Sequence, residues 1–181
     1  GIGSPALNQL EEVLQHLGDL TIVAPEREMS AQSHAITLNR PLRYRKLGNN
    51  RYAVDGTPAD CVILASLKVV KEQPDLLISG INRGKNVGDS LLYSGTLAAA
   101  SEGAIQGIPS VAVSVESLEP VEFGPAADFT AVLAHKILKE GLPPGVVLNV
   151  NFPRDWNGEV ILTRQGQKAD KTVLVENLDP S

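Results

Sequence analysis

Short apolar runs alternate with segments of helical periodicity along most of the chain. Four runs have the length and composition of buried strands, namely residues 20–24, 75–79, 109–115 and 146–150. Apolar positions recur at helical spacing between them, and in residues 125–140 one face carries Phe129, Val132, Leu133, Ile137 and Leu138. Strands and helices that alternate in this way are typical of a parallel sheet covered by helices on both faces. We therefore predict an α/β fold with a doubly wound, mostly parallel, Rossmann-like sheet.

Capping residues mark where the other predicted helices begin. Ser4 precedes a proline and opens a helix that closes at Gly18. Thr57 opens a second helix, which has an acid at its third position and runs to about residue 70. Residues 95–106 predict a third helix, which is rich in alanine and other small residues.

A β-hairpin arm is predicted outside this alternation. Residues 36–47 and 51–54 are strand-like, and Gly48-Asn49-Asn50 between them is turn chemistry. The arm is rich in arginine, so we expect it to face solvent.

The two ends of the sequence lack elements that the fold requires. The chain opens on a loop and a helix, yet that helix must dock beside a strand, so we expect a first strand that these 181 residues do not include. Residues 172–181 stop in turn-like residues without a closing element. We expect one α/β domain over residues 1–181, truncated at both ends.

Charge and cysteine content narrow the classes of partner. The formal net charge is −5 and the pI is about 5.2, so local features must hold any phosphate-bearing ligand, and long nucleic acid is disfavoured. Cys61 is the single cysteine, which excludes an intramolecular disulfide. No apolar run approaches the ~20 residues of a membrane helix, and no signal peptide opens the chain. We expect a soluble cytoplasmic protein without a membrane partner.

Candidate chemistry lies in the loops after the predicted strands, because ligands of open parallel sheets bind beyond the carboxyl ends of the strands. Residues 79–89 contain three glycines, two asparagines and two cations, which favours close approach to an anion or a metal. An ordinary glycine-rich surface turn is the alternative. The segment is not a Walker A loop, since Lys85 is followed by Asn86 rather than by serine or threonine.

A second candidate is the start of the alanine-rich helix. Ser94, Gly95 and Thr96 would place unpaired backbone N–H groups and two hydroxyls at the positive end of the helix dipole. The alternative is that Ser94 or Thr96 is a plain N-cap. This segment and residues 79–89 belong to one βα unit, and their coincidence favours a phosphate site.

Two further loops are weaker candidates. Residues 25–34 combine charged, hydroxyl and imidazole groups, including Ser30 and His34, although a charged loop after a strand is usually only solvated. Asn149 and Asn151 end a strand, where they either serve a site or bond the turn before the following proline.

Three other residues with reactive side chains are assigned to structure. His16 and His135 lie on predicted helices, where exposed histidines are common. Cys61 falls in the first turn of a helix, but no histidine near it in sequence can act as a base.

Taken in order, these segments resemble the SurE family, also called survival protein E, over residues 1 to about 166. Residues 1–5 are similar to the end of the family's Asn-Asp-Asp-Gly opening, and residues 23–30 to its second-strand loop. Residues 55–62 resemble its Gly-Thr-Pro-x-Asp-Cys-Val segment. The most specific stretch is residues 79–88 (SGINRGKNVG), continued by residues 93–103 (YSGTLAAASEG).

The resemblance implies a metal-dependent nucleotidase that releases phosphate from nucleoside 5′- and 3′-monophosphates, and some members of the family also trim short polyphosphate. It implies a divalent cation, Mg²⁺, Mn²⁺ or a similar ion, with ligands at Ser30 and Asn82. Two further ligands would be aspartates directly before Gly1, which the sequence does not contain.

The resemblance also implies phosphate contacts at Asn86, Ser94, Gly95 and Thr96. We add His34 as a candidate neighbour of the active site. The family uses a C-terminal extension in oligomer assembly, so a homodimer or homotetramer is expected. The general base stays open.

Two alternatives belong to other functional classes. Residues 1–6 fit the G-x-G-x-x-A pattern of a nicotinamide-dependent dehydrogenase, with Glu26 at about the spacing of its ribose-binding acid. That interpretation leaves residues 80–96 unexplained. The other alternative is a folded but inactive binding or assembly module.

Overall fold

The computed structural model describes residues 1–116 and 121–167, so the expectation for residues 172–181 lies outside the described residues. The helices are α1 (Pro5–Leu14), α2 (Pro58–Leu64), α3 (Gly95–Ile105) and α4 (Gly124–Glu140). The strands are β1 (Ile22–Pro25), β2 (Tyr44–Gly48), β3 (Arg51–Val54), β4 (Leu77–Arg83), β5 (Ser110–Val115) and β6 (Val147–Phe152). A π-helical stretch, Ala65–Val69, extends α2, and a 3-10 stretch, Gly88–Tyr93, precedes α3.

The strands form two three-stranded sheets. β4, β5 and β6 are all parallel in the order β4-β5-β6. In the other sheet, of order β1-β3-β2, β1 pairs parallel with β3 and β2 pairs antiparallel with β3. The predicted α/β fold with a mostly parallel sheet is confirmed, and β2–β3 is the predicted hairpin.

Helices cover both faces of β5, because its side chains alternate between them. Val111, Val113 and Val115 join an apolar cluster with residues of α1 and α4, including Leu10 and Ile137. On the opposite face, Ser110 lies so close to α3 that a Cβ built on Gly103 would be 2.5 Å from its Oγ. All six residues of β5 are buried, which makes this strand the centre of the described structure.

A cleft of about 2240 Å³ lies between the two sheets. β1 and β4 both line it, and among the described residues each pairs with a strand on one side only. Residues that follow the carboxyl ends of both strands, together with the start of α3, also line the cleft. The expected additional strand stays a prediction, and this cleft is the place in the fold where it would lie.

Three predicted boundaries are wrong. α1 ends at Leu14, four residues before the Gly18 that was predicted to close it. β4 continues to Arg83, so Asn82 lies at the end of a strand and is partly buried, not in an exposed loop. The hairpin strand β2 begins only at Tyr44. The segment before it is drawn away from a strand ladder, because the N–H of Thr37 donates to Asp60 Oδ1 (2.9 Å) at the start of α2.

The predicted apolar face of α4 is also partly wrong. Val132 is 67% exposed and Leu138 is 43% exposed. The positions that are fully buried on α4 are mostly small, namely Ala126, Ala127, Thr130, Ala134 and Ile137. Small residues allow α4 to lie close to α1, and the larger side chains then project from the edges of the contact.

Among residues 1–116 and 121–167, no helix has the length and apolarity needed to cross a membrane.

Candidate active site

The start of α3 lies on the wall of the cleft. Ser94 is the N-cap, and its Oγ accepts a hydrogen bond from the N–H of Leu97 (3.1 Å). The N–H groups of Gly95 and Thr96 have no acceptor within the part of the chain that the structure describes, as expected in the first turn of a helix. Ser94 therefore does act as an N-cap, as one of the two interpretations of this segment predicted. The cap still leaves the N–H groups of Gly95 and Thr96 available to an anion in the cleft.

Gly95 is the point where α3, α2 and the loop after β1 meet. A Cβ built on Gly95 would lie 2.9 Å from Cγ of Pro58 and 3.5 Å from the carbonyl oxygen of Met29. A larger residue would push the helix start away from both neighbours, so glycine sets the depth of this end of the cleft.

Asn82 presents an amide oxygen to the cleft. Its Nδ2 donates to the carbonyl oxygen of Gly84 (2.7 Å), which fixes the orientation of the side chain. No described group donates to Oδ1, and Asn82 lines the cleft. An oriented neutral oxygen is therefore available there.

Ser30 lies on the loop that follows β1, and it too lines the cleft. Its Oγ donates to Glu28 Oε1 (2.9 Å), which leaves the oxygen lone pairs available. Ser33 ties this loop to the segment before α3, because its N–H donates to Tyr93 O (3.0 Å) and its Oγ donates to Leu92 O (2.7 Å). Those two bonds bring the loop to the start of α3.

Asn86 is buried, at 7% exposure, beside the same cleft. Its Nδ2 donates to Ser114 Oγ (2.8 Å). Its main-chain groups bond to Asn149 and Asn151, so these two asparagines do not serve the turn before the proline. The sequence did not decide between these roles. The spacing of two residues between the asparagines was the feature that pointed to a shared partner, because it places both side chains on one face of β6.

The oxygen donors suit a hard divalent cation in kind. Ser30 Oγ and Asn82 Oδ1 are the type of neutral oxygen that Mg²⁺ or Mn²⁺ accepts as part of a ligand set. Within the described residues, no group of three or more His, Cys, Asp or Glu could hold a metal by itself. The two donors therefore fit as partial ligands that need further charged ligands. Glu28, which accepts a hydrogen bond from Ser30 and also lines the cleft, is a nearby carboxylate that the sequence pattern did not single out.

His34 lies elsewhere. Its Nε2 is 3.0 Å from Glu102 Oε2, in the second half of α3, and it is not among the described residues that line the cleft. Glu102 also accepts from Gln106 Nε2 (2.9 Å) through its other oxygen. The pair fastens the loop after β1 to α3.

Cys61 has no nucleophilic character in this setting. It is 3% exposed, and burial together with the neighbouring charge of Asp60 raises the pKa of its thiol to about 12. The thiol stays protonated at neutral pH, so a structural role fits.

Comparisons with known proteins agree on one family. The family model described as "Survival protein SurE" matches residues 1–172. The chain is 44% identical to a protein of Geotalea daltonii named 5′-nucleotidase SurE, over 99% of the chain and 74% of that relative. A protein of the same name from Myxococcus xanthus is also 44% identical, over 99% of the chain and 70% of the relative.

A solved structure gives the same result. The crystal structure of SurE protein from Aquifex aeolicus superposes with a TM-score of 0.91 at 42% sequence identity, covering 99% of this chain and 75% of that one. Since the family model, the curated relatives and the solved structure each cover nearly the whole sequence, this chain belongs to the SurE family.

Proposed function

We propose that this protein is a phosphomonoesterase that releases phosphate from nucleoside 5′- and 3′-monophosphates and from short polyphosphate. One observation carries the proposal: Ser30, Asn82, Asn86 and the start of α3 line a single cleft. The names of the relatives, 5′-nucleotidase SurE, support the substrate class.

The start of α3 would bind the phosphate. The N–H groups of Gly95 and Thr96 point out of the first helical turn, where the helix dipole favours an anion. Asn86 lines the cleft with a side chain that is already oriented by Ser114. Fixed donors of this kind stabilise charge on phosphoryl oxygens without having to reorient during the reaction.

A divalent cation is part of the proposal, with Ser30 and Asn82 as two of its ligands. When bound, such a cation neutralises charge on the phosphate and lowers the pKa of a bound water. Asn82 is preoriented for this role by its bond to Gly84, and Ser30 by its bond to Glu28. The acidic chain, with net charge −5, attracts cations and repels phosphate, so the cation would also offset that repulsion.

Phosphate release tests the proposal directly. The full-length protein is incubated with 5′-AMP, 3′-AMP or tripolyphosphate in Mg²⁺ or Mn²⁺, and free phosphate is measured. We expect release that stops after exhaustive EDTA treatment and returns when the metal is restored. Undiminished release in EDTA would contradict the metal, and absence of release from every substrate would contradict the enzyme.

Asn82→Ala tests the metal ligand separately from turnover. We expect Mn²⁺ affinity, measured by calorimetry, and phosphate release to fall together by at least about tenfold, because loss of a group that only supports a metal ligand already costs about 10- to 100-fold. Circular dichroism should be unchanged, since Asn82 has a single described side-chain bond. Asn39→Ala, at an exposed position, is the control. Unfolding of Asn82→Ala alone would identify Asn82 as structural.

The two alternative functions, a dehydrogenase and an inactive binding module, can be distinguished from a phosphatase. Glu26, the acid that a dehydrogenase would need for a ribose, is paired with Arg45 (2.9 Å), and the chain belongs to a different family. An inactive binding module would bind phosphate without releasing it from a nucleotide.

We also propose self-association as a homodimer or homotetramer, which sedimentation of the full-length protein measures.

A further inference from the structure

Asn86 has its main chain held by two side chains from β6. Its carbonyl oxygen accepts from Asn149 Nδ2 and from Asn151 Nδ2, each at 3.0 Å. Its N–H donates to Asn151 Oδ1 at 2.7 Å. Asn151 therefore bonds both polar groups of the Asn86 main chain, and Asn149 adds a second donor to the carbonyl.

Strand geometry explains why these side chains converge. Residues two apart on a strand face the same side, and Asn151 is paired in register with Ser114 on β5. Ser114 faces that side too, and its Oγ accepts from Asn86 Nδ2 (2.8 Å). Three adjacent side chains at the carboxyl end of the sheet thus bond one loop residue. We call Ser114, Asn149 and Asn151, which all bond Asn86, the Asn86 clamp.

Other bonds hold the two ends of the loop that carries Asn86, residues 84–87. The carbonyl oxygen of Gly84 accepts from Asn82 Nδ2 (2.7 Å), and the N–H of Val87 donates to Ser90 Oγ (2.9 Å), which in turn donates to Val87 O (2.6 Å). The loop belongs to neither a helix nor a strand. At its start, the N–H of Gly84 donates to Val115 O (2.8 Å), and Lys85 Nζ contacts Glu116 Oε1 (3.0 Å) at the surface. Between these ends, the main chain of Asn86 is bonded by side chains of β6 and not by a strand ladder.

The clamp leaves part of the Asn86 amide for a ligand. Within the described residues, nothing donates to its Oδ1, and its Nδ2 uses one of two hydrogens on Ser114. Asn86 lines the cleft, whereas Asn149 and Asn151 do not. The contact of these two asparagines with the cleft is therefore indirect, through the main chain of Asn86.

We propose that Asn149 and Asn151 are positioning residues for phosphate binding, which they support by holding residues 84–87 in the binding arrangement. The inference rests on the proposed function and deepens it. Without the clamp, the loop samples other arrangements, and the apparent affinity falls by the fraction of time it spends in the competent one. Once phosphate is bound, the loop is ordered again, so turnover changes little.

The test uses the full-length protein with its metal and compares Asn149→Ala, Asn151→Ala and the double variant. The readouts are KM for 5′-AMP, the inhibition constant of inorganic phosphate, and kcat. We expect KM and the inhibition constant to rise about 5-fold for Asn149→Ala, which loses one hydrogen bond, and about 25-fold for Asn151→Ala, which loses two. The double variant should exceed the product, because the buried carbonyl then has neither donor. The expected change in kcat is less than about 3-fold.

Asn157→Ala is the matched control, since this exposed asparagine follows the same strand and only caps the N–H of Glu159 (2.9 Å). If Asn151→Ala does not fold, Asn151→Asp takes its place: it keeps the acceptor for the Asn86 N–H and loses the donor. If the wild-type protein is active and these variants have the same KM and the same inhibition constant for phosphate, the inference about Asn149 and Asn151 is overturned. The proposed function would still stand. A fall in kcat alone would indicate a merely structural role and would overturn the inference too. A wild type that neither releases nor binds phosphate would refute the proposed function itself.

Discussion

Asp60 is a buried carboxyl that depends on three donors. Its Oδ1 accepts the N–H of Thr37 (2.9 Å), and its Oδ2 accepts Thr37 Oγ1 (2.6 Å) and the N–H of Thr57 (2.9 Å). Burial raises the pKa of Asp60, and the bonds from Thr37 and Thr57 more than offset it, so the pKa lies below its ordinary value. The folded state thus favours the charged form. The contribution of the Asp60 carboxylate to stability is fully present above the pKa that it has in the unfolded chain. That contribution is lost as the pH falls through the lower pKa that it has in the folded protein.

Asp60→Asn should therefore destabilise the protein in a pH-dependent way. At pH 7 we expect the free energy of unfolding in urea to fall by about 2–3 kcal/mol, because an amide cannot accept from all three donors. The difference from wild type should shrink as the pH is lowered past the ordinary pKa of 3.8 and through the lower pKa of the folded state, where the wild-type carboxylate becomes protonated. Asp55→Asn, which breaks a surface pair with Arg40, should cost less than about 1 kcal/mol. A difference for Asp60→Asn that does not vary with pH would contradict this account.

The sequence revealed half of the Asp60 site. Thr57 and Asp60 form a local capping box, and their spacing of three residues predicted it. Thr37 lies 23 residues earlier, and nothing local marks it as a partner. The same limit applies to the clamp, where Asn86 lies more than 60 residues from Asn149 and Asn151. Side chains that serve a neighbour in sequence can be predicted, and those that serve a neighbour in space need the fold.

Asn82 shows a different limit. Its neighbours, two glycines and several polar residues, are typical of a loop, and we expected one. In the structure Asn82 is paired in register with Ser114, after an irregularity in the β4–β5 pairing. Pairing with the central strand outweighs local loop preference, since strand propensity depends strongly on context.

At the scale of elements, α3 lies close to the sheet because it is made of small residues. A Cβ built on Gly103 would be 2.5 Å from Ser110 Oγ and 2.8 Å from Cδ1 of Leu77. The sequence predicted this helix within about one residue at each end, and its alanine content suggested close packing. Which strand it packs against was not predictable, because small residues do not identify their neighbours.

Gly103→Ala should move α3 off the sheet. We expect a loss of about 1–3 kcal/mol in the free energy of unfolding, which is typical of overpacking a tight contact, despite the better helix propensity of alanine. Gly124→Ala, at the start of α4, has no atom within 4 Å of the new Cβ and should be neutral or slightly stabilising. Urea unfolding of both variants measures the difference. Equal stabilities would show that α3 adjusts at no cost.

At the scale of the molecule, the described residues form two half-sheets that meet at the cleft. The sequence predicted five of the six strands in whole or in large part, and the alternation indicated parallel pairing. The division into two sheets was not predicted, because apolar strands carry no signal for which neighbour they pair with. The division places the candidate metal ligands on opposite sides, Ser30 after β1 and Asn82 at the end of β4.

Hydrogen exchange of the 181-residue chain tests this division. The N–H groups of Ile22 and Glu26 bond toward β3, so the N–H of Val23 between them points to the cleft. The N–H of Leu77 bonds toward β5, so that of Ile78 also points to the cleft. We expect these two amides to exchange at least about 1,000-fold faster than those of β5, because unpaired sites open at almost no cost, whereas a central strand opens at a cost near the full free energy of unfolding.

Val111 and Val113 are the internal references, since β5 is paired on both sides and both residues are at most 1% exposed. Equally slow exchange of Val23 and Ile78 would show that their N–H groups are bonded, and that a segment occupies the cleft between β1 and β4. Slow exchange that appears only in a longer chain would identify that segment as an added strand, since an inserted parallel strand would accept from both edges at once. In that case the strand would end between Ser30 and Asn82, where the proposed cation needs further ligands.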